Sequence, residues 1–333
     1  MTRELQPTKR PTSFDVARRA GVSRATVSHV LNGQGRFPEE TRRRVLDAAA
    51  ELHYTPSPAG RALVRGRSDI LVVVIPHTTF GSNLQDLVDD ITVRADKHGL
   101  SVVVRFAGPN LEATLAAVQH FRPVAVVDLG VLGAEHRGTL EASGAVVIPR
   151  IRPNDDLPNN PNYMIGGFML EELTRKGPRK LVFAALLDER SDPFGPARYE
   201  GMKASAAARG LPAPGRIEVP LDRTGATKAL EAVVDAGQPL GVACYNDAVA
   251  LAVLAAGREL GLEVPRQLAV MGVDATAEGQ LTVPRLTTLS IANEPVMDRI
   301  AADLASLDRR SEALLEQASS DESPYALIAG ETT

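Results

Sequence analysis

The stretch GVSRATVSHVLN, from Gly21 to Asn32, concentrates hydrogen-bonding groups on one side of a short segment. Val22, Val27, Val30 and Leu31 recur at helical spacing and give it one apolar stripe. The residues between them, Ser23, Arg24, Ala25, Thr26, Ser28 and His29, are small, hydroxylated or basic. That is the equipment for reading a polyanion with structured edges. A guanidinium such as Arg24 can hold a guanine edge with two donors, Ala25 can touch a thymine methyl, and hydroxyls can bond phosphates or bases. Small side chains let the backbone come close to the groove.

Such a face needs elements to hold it, and the flanking residues supply them. Ser13 is expected to cap a first helix, with Asp15 in its first turn and Val16, Ala17 and Ala20 on one face. Gly21 suits the left-handed position that ends it. Ser23 is expected to cap a second helix, about residues 24–31. Pro38, Glu39 and Glu40 fit the first turn of a third, on which Val45, Leu46, Ala49 and Leu52 close a small core. Helix, tight glycine turn, helix is the helix-turn-helix arrangement.

Charge agrees with this reading. Residues 1–67 hold 13 Lys and Arg against 6 Asp and Glu, a net of +7; the remainder holds 24 against 35, a net of −11. A basic head on an acidic body points to a polyanionic partner for the head, although charge alone would equally suit a solvated basic tail. The next stretch, TPSPAGRALVRGRS, offers Ser57 as a cap, Pro58 at a first helical position and Gly66 as a stop. The helix between them is too short to stand alone in water, and Gly60 weakens it by about 1 kcal/mol relative to alanine. It would fold on contact with DNA and a second copy, with Leu63 as an apolar wedge between minor-groove base steps. By composition it also reads as a flexible linker.

From residue 69 short apolar runs alternate with helical stretches: 70–76, 100–106, 124–129 and 145–148, then, after the break RPNDDLPNNPN, 180–186, 216–220, 240–245 and 268–273. This pattern predicts parallel sheets with helices on both faces, in two similar halves with a cleft between them. Ligands of such sheets bind beyond the carboxyl ends of the strands. The sequence shows no P-loop, no metal-ligand spacing, no dinucleotide pattern and no nucleophile elbow, so no enzyme chemistry, cofactor or metal is expected. Cys244, the single cysteine, reads as a small core residue in a reducing compartment. No run approaches a membrane-spanning length, and the start MTRELQPTKRPT lacks the apolar region of a secretory signal. A cytoplasmic location is expected.

Phe14-Asp15-Val16-Ala17 followed by AGVSRATVSHVLNG, then PEETRRRVLDAAAELHYTPSPAGRAL and a strand, resembles the lactose-repressor (LacI) family of bacterial transcription regulators. The resemblance implies a helix-turn-helix head on a two-lobed α/β body like a periplasmic binding protein. It implies base contacts from Arg24 and Ala25, phosphate contacts from Ser23, Thr26 and Ser28, and an intercalating Leu63. His29 stands where the family usually carries arginine, and Asn32 completes the expected DNA-contacting set. In the body it implies ligand contacts at Arg198, Asn246 and Asp274; Asp247 is expected to cap the following helix instead. Four departures shape the expected specificity. HTTFGSN keeps only Phe80 of the usual Asn-Pro-aromatic turn. Arg150 falls where sugar-binding relatives have aspartate, and Phe194 and Ile291 fall where polar contacts are common.

The expected organisation is a DNA-binding domain at 1–56, a hinge at 57–68, and a ligand-binding and dimerisation body at 69–333. Its first lobe takes about 69–155 and 293–318, and its second about 160–290 and 319–333. The expected function is that of a homodimeric repressor on a palindromic operator, governed by a small anionic or partly apolar effector in the cleft. The alternatives are a solute-binding protein, which the basic head disfavours, and a regulator whose degenerate pocket binds nothing.

Overall fold

In the computed structural model the described residues are 11–31, 35–55, 68–78, 83–150, 160–188, 190, 192–235, 237–291, 294–307 and 325–333. Asn32, the hinge with Leu63, and Phe80 lie outside them. The chain divides into two compact units: residues up to Ile70 with Arg122–Val124, and the remainder.

The head begins with a reciprocal cap. Asp15 stands three residues after Thr12, and its carboxylate accepts from the Thr12 amide at 2.9 Å and the Thr12 hydroxyl at 2.7 Å. Thr12, rather than the expected Ser13, is therefore the N-cap of α1 (Ser13–Ala20), because only Thr12 has the carboxylate at the right offset. Gly21 ends the helix at φ 67, ψ 37, a left-handed conformation that costs glycine nothing. The Ser23 hydroxyl accepts from the Thr26 amide at 3.0 Å and starts α2 (Arg24–Leu31) as expected. Pro38 is the N-cap of α3 (Glu39–Glu51), one residue before the expected first turn.

Val16, Ala17, Ala20, Val27, Val30, Val45, Ala48 and Ala49 form the head's core, with Val22, Leu31, Leu52 and Tyr54 partly buried against it. Leu46 departs from expectation and is 45% exposed. Positions 45, 48, 49 and 52 share one helical face, so Leu46 lies about 100° away from it and Ala48 fills the core.

The body contains two sheets. The first orders β1 (Ile70–Ile75), β2 (Ser101–Phe106), β3 (Ala125–Asp128) and β4 (Val146–Ile148) as β2-β1-β3-β4, connected through α4 (Asn83–Lys97), α5 (Leu111–His120) and α6 (Ala134–Ala142). The second contains β5 (Lys180–Leu186), β6 (Gly215–Val219), β7 (Leu240–Cys244), β8 (Leu268–Val273), β9 (Thr287–Ile291) and β10 (Tyr325–Ile328), in the order β10-β9-β8-β7-β5-β6. Its helices are α7 (Pro161–Thr174), α8 (Gly195–Ala208), α9 (Arg223–Glu231), α10 (Asp247–Glu259) and α11 (Ala277–Gln280).

Alternation along β5 shows how the second sheet is covered on both faces. Val182 and Ala184 join one core cluster, while Leu181, Phe183 and Ala185 join the other. The eight anticipated strands are present, shifted by a residue or so at their ends. Two more complete the second sheet: β9, parallel to β8, and β10, which pairs antiparallel with β9, Tyr325 opposite Ile291. Strand β2, anticipated as buried, is an edge strand with Val104 and Phe106 exposed. A last helix, α12 (Glu294–Ser306), packs on α4, and Asp303 accepts from the Arg150 amide at 3.0 Å.

The Ser23 cap is the fixed start of the exposed helix, so Ser23→Ala is expected to destabilise the head by about 1 kcal/mol. Guanidinium unfolding followed by far-ultraviolet circular dichroism checks this; an unchanged first transition would contradict it.

Candidate functional sites in the head and the cleft

Along α2 the inner face carries Val27 and Val30, both buried, and the outer face carries Arg24, Ala25 and His29, all exposed. Two of the expected hydroxyls are already engaged within the helix's first turn. Ser23 holds the Thr26 amide, and the Ser23 and Thr26 hydroxyls lie 2.9 Å apart. Thr26 and Ser28 are half-buried. The His29 ring lies 6.4 Å from that of Phe37. The exposed face thus offers one guanidinium, one methyl and one imidazole, on a helix whose approach is fixed by the Gly21 turn.

In the body, the polar residues gather at the carboxyl ends of the second sheet. Arg198 projects from α8 and is 4% exposed. Its Nε donates to Asn162 Oδ1 at 3.0 Å and its Nη1 donates to the Tyr245 carbonyl. Its Cζ lies 5.7 Å from the Phe194 ring centre and 5.3 Å from that of Tyr245, so the guanidinium is packed against two aromatic faces. Asn162 reaches it because α7 and α8 touch backbone to backbone: a methyl group at Gly166 would overlap the Arg198 carbonyl, and one at Gly201 the Tyr163 carbonyl. Burial lowers the proton affinity of Arg198, and the negative charges of Asp274 and Asp192 oppose that. Burial pushes the Tyr245 hydroxyl to about 12, with the Thr78 hydrogen bond and Arg198 opposing, so it stays neutral at ordinary pH. Burial likewise lifts Tyr325 to about 12.

The expected cap falls on the neighbouring residue. Asn246 is the N-cap of α10, accepting from the Val249 amide at 3.0 Å. Asp247 is fully buried and points the other way, to the turn that carries Asp274. Its carboxylate accepts from the Thr288 hydroxyl at 2.6 Å, the Thr276 amide at 2.7 Å and the Thr276 hydroxyl at 3.1 Å. Asp274 and Ala275 have φ of 108 and 52, so two consecutive non-glycine residues occupy left-handed backbone. Two of these bonds hold the turn at Thr276, and Thr288 of β9 holds it at Ala275, whose amide donates to the Thr288 hydroxyl at 3.2 Å. Burial raises the Asp247 carboxyl above its ordinary range, and the Thr288 and Thr276 bonds oppose the rise.

Phe194 and Asp274 thus lie close enough to act on Arg198, and Tyr245 and Asn162, neither of them anticipated, touch it directly. Phe194 precedes α8, where Asp192 Oδ1 accepts from the Phe194 and Gly195 amides at 3.1 and 2.7 Å. Ile291 is partly buried in the core, in register with Tyr325. Arg150 is on the first lobe, where its Nη2 donates to Ser306 Oγ at 2.9 Å and its Nε lies 3.8 Å from Asp303. Its charge is therefore engaged by α12. The first lobe's own organiser is Asp128, whose Oδ1 accepts from the Gly130, Val131 and Leu132 amides at 3.2, 2.7 and 3.1 Å, with Arg137 Nη1 on Oδ2 at 3.1 Å. An aspartate closing a buried strand was the available signal. Among the described residues no group of three His, Cys, Asp or Glu is placed to hold a metal, and no helix is long and apolar enough to cross a membrane.

Comparison with known proteins follows the division of the chain. Residues 14–57 match the model for bacterial regulatory proteins of the lacI family, and residues 170–333 match that for a periplasmic binding protein-like domain. The chain is similar to the HTH-type transcriptional regulator GntR of Pseudomonas aeruginosa, 29% identical over 325 residues, covering 92% of this chain and 91% of the relative. Its fold is similar to that of a LacI-family transcriptional regulator from Silicibacter pomeroyi, with a TM-score of 0.79 at 23% identity, covering 97% and 99% of the two chains. It is also similar to the lac repressor dimer bound to operator and the anti-inducer ONPF, with a TM-score of 0.72 at 23% identity, covering 97% and 99%.

An amide at position 247 would turn a donor toward donors that now have a carboxylate. Asp247→Asn is therefore expected to lower stability by about 2 kcal/mol and the melting midpoint of the body by several degrees. Differential scanning calorimetry reads this directly; an unchanged midpoint would show that the turn does not depend on Asp247.

Proposed function

The chain belongs to the lacI family of bacterial regulatory proteins, and from that premise we propose that it is a cytoplasmic, homodimeric transcriptional repressor whose grip on a palindromic operator is set by a small anionic molecule. The observation that carries the DNA-binding part is the capped, glycine-turned α2, with its apolar side buried and Arg24, Ala25 and His29 turned outward. A helix of that width enters the major groove, and two copies fit two half-sites about one helical turn apart. Arg24 reads a guanine edge and Ala25 a thymine methyl. Ser23, Thr26, Ser28 and Asn32 hold the backbone, and paired segments around 57–66 set Leu63 in the minor groove.

For the effector, Arg198 supports an acid. It is a permanently charged group, and its two hydrogen bonds go to neutral oxygens, the Asn162 amide and the Tyr245 carbonyl. A carboxylate on the ligand would supply the opposite charge in a site already desolvated. Phe194 and Tyr245 supply apolar faces, and Asp274 an acceptor for hydroxyls. A hydroxylated organic acid combines these features. Arg150, anticipated as a second cleft cation, is held by Asp303 and Ser306 and is not needed for this reading. Ligand and operator must then couple reciprocally through the difference in affinity between two states of the body.

Duplexes selected from a randomised library by the full chain test the DNA-binding part. Their affinity is expected to fall with salt at a log–log slope steeper than about −5, since each neutralised phosphate contributes about −0.9. Arg24→Ala is expected to cost about 1–3 kcal/mol on the selected duplex, to relax the preference at one base pair per half-site, and to leave binding to random duplex nearly unchanged. A flat salt dependence, or equal losses on selected and random duplexes, would contradict the assignment.

A further inference from the structure

Of the two rings that flank Arg198, Tyr245 touches the opposite lobe and Phe194 faces it across the space a methyl group would fill. The Tyr245 hydroxyl lies 3.3 Å from the hydroxyl of Thr78, just beyond the end of β1. The Phe194 ring faces Gly130, just beyond the end of β3: a methyl group at Gly130 would lie 3.9 Å from Phe194 Cε1. Strands β1 and β3 are neighbours in the first sheet, so their carboxyl ends present Thr78 and Gly130 side by side to the second lobe. Tyr245 and Thr78 are both buried, 2% and 5% exposed, so neither hydroxyl can turn to bulk water in place of the other.

We propose that Phe194 and Tyr245 form an aromatic coupler, through which whatever engages the Arg198 guanidinium acts on the contact between the two lobes. The Tyr245 limb has three parts in one residue. Its carbonyl accepts from Arg198, its ring packs on the guanidinium, and its hydroxyl meets Thr78. The Phe194 limb runs from the guanidinium face to the Gly130 turn, whose amides are held by Asp128. A separation of 3.3 Å is long for a hydroxyl pair, so a displacement of a few tenths of an ångström at Arg198 decides whether the bond is made. Gly130, at φ 100, has no side chain between its backbone and the Phe194 ring, so the same displacement changes how closely the ring approaches that turn. Movement at one guanidinium is thereby delivered to two adjacent strand ends of the other lobe. The consequence for effector control rests on the reading of Arg198 as the effector's anchor; the mechanical link does not.

Hydrogen exchange of the ligand-free full chain tests the link without any effector. Arg198→Met is expected to speed exchange at least threefold at the Thr78 amide and at the amides of 130–132, which lie on the lobe that Arg198 does not belong to. Exchange in β5 and β8 should stay as in the parent, which shows that the fold is kept. Tyr245→Phe and Thr78→Val are each expected to speed exchange at Thr78 by a similar factor, and the double variant by no more than either alone, since one bond is lost in all three. Phe194→Leu is expected to affect 130–132 and not Thr78. Unchanged exchange at both segments in Arg198→Met would overturn the proposal, as would multiplying effects of Tyr245→Phe and Thr78→Val. If the link holds in these variants and no organic acid engages Arg198, the effector reading falls and the coupler stands.

Discussion

A guanidinium that never loses its charge, packed almost out of reach of water, is the constraint around which the body is arranged. Leaving such a group in an apolar setting without compensation would cost many kcal/mol. The compensation comes from several directions. The Asn162 amide oxygen and the Tyr245 carbonyl take two of the Arg198 donors, two aromatic faces lie against its plane, and the carboxylates of Asp274 and Asp192 act through their fields. Each contributor needs its own support. Asn162 depends on the glycine contacts between α7 and α8, Phe194 on the Asp192 carboxylate that accepts its amide, and Asp274 on the bonds that Asp247 accepts from Thr276 of its turn. The second sheet thus ends in a set of mutually dependent positions rather than a row of independent ligands.

The head obeys a different constraint. Among its described residues eight apolar ones form the buried core, four of them alanines, and the head relies on caps and a left-handed glycine for its geometry. On the outer side of the recognition helix Arg24 and His29 stand among the small Ala25, Thr26 and Ser28, which is what close approach to a groove requires. DNA binding on the head and the proposed acid binding on the body meet only through linkage: a ligand that prefers one state of the body shifts the duplex affinity by its differential affinity and no more.

Much of this was legible in the sequence because it depends on periodicity. The two-fold succession of apolar runs and helices, the Gly21 stop and the Ser23 cap are local patterns with local causes. What escaped was non-local. Strand β9, TTLSI, is too polar to stand out as a buried strand, and it forms because Thr287 and Thr288 find buried partners in Thr333 and Asp247. Strand β10 exists only by pairing with it. Asn246 and Asp247 are both good caps by type, and only the position of Thr276 and Thr288 decides that the aspartate turns inward. Arg150 was placed by its likeness to a family position; the α12 residues Asp303 and Ser306, more than 150 positions away in sequence, take its hydrogen bonds. Tyr245 reads as core at the end of an apolar strand, and nothing near it in sequence reveals that its hydroxyl meets Thr78.

The anion-receptor role proposed for Arg198 is most directly tested by thermal unfolding of the full chain with matched neutral and acidic ligands, glucose and other neutral sugars against gluconate, glucuronate and simpler hydroxy acids. If Arg198 is the receptor, at least one acid raises the melting midpoint saturably, its neutral counterpart does not, and Arg198→Met abolishes the rise. Stabilisation by the neutral sugars alone, by none of the acids, or by an acid acting equally on Arg198→Met would contradict it.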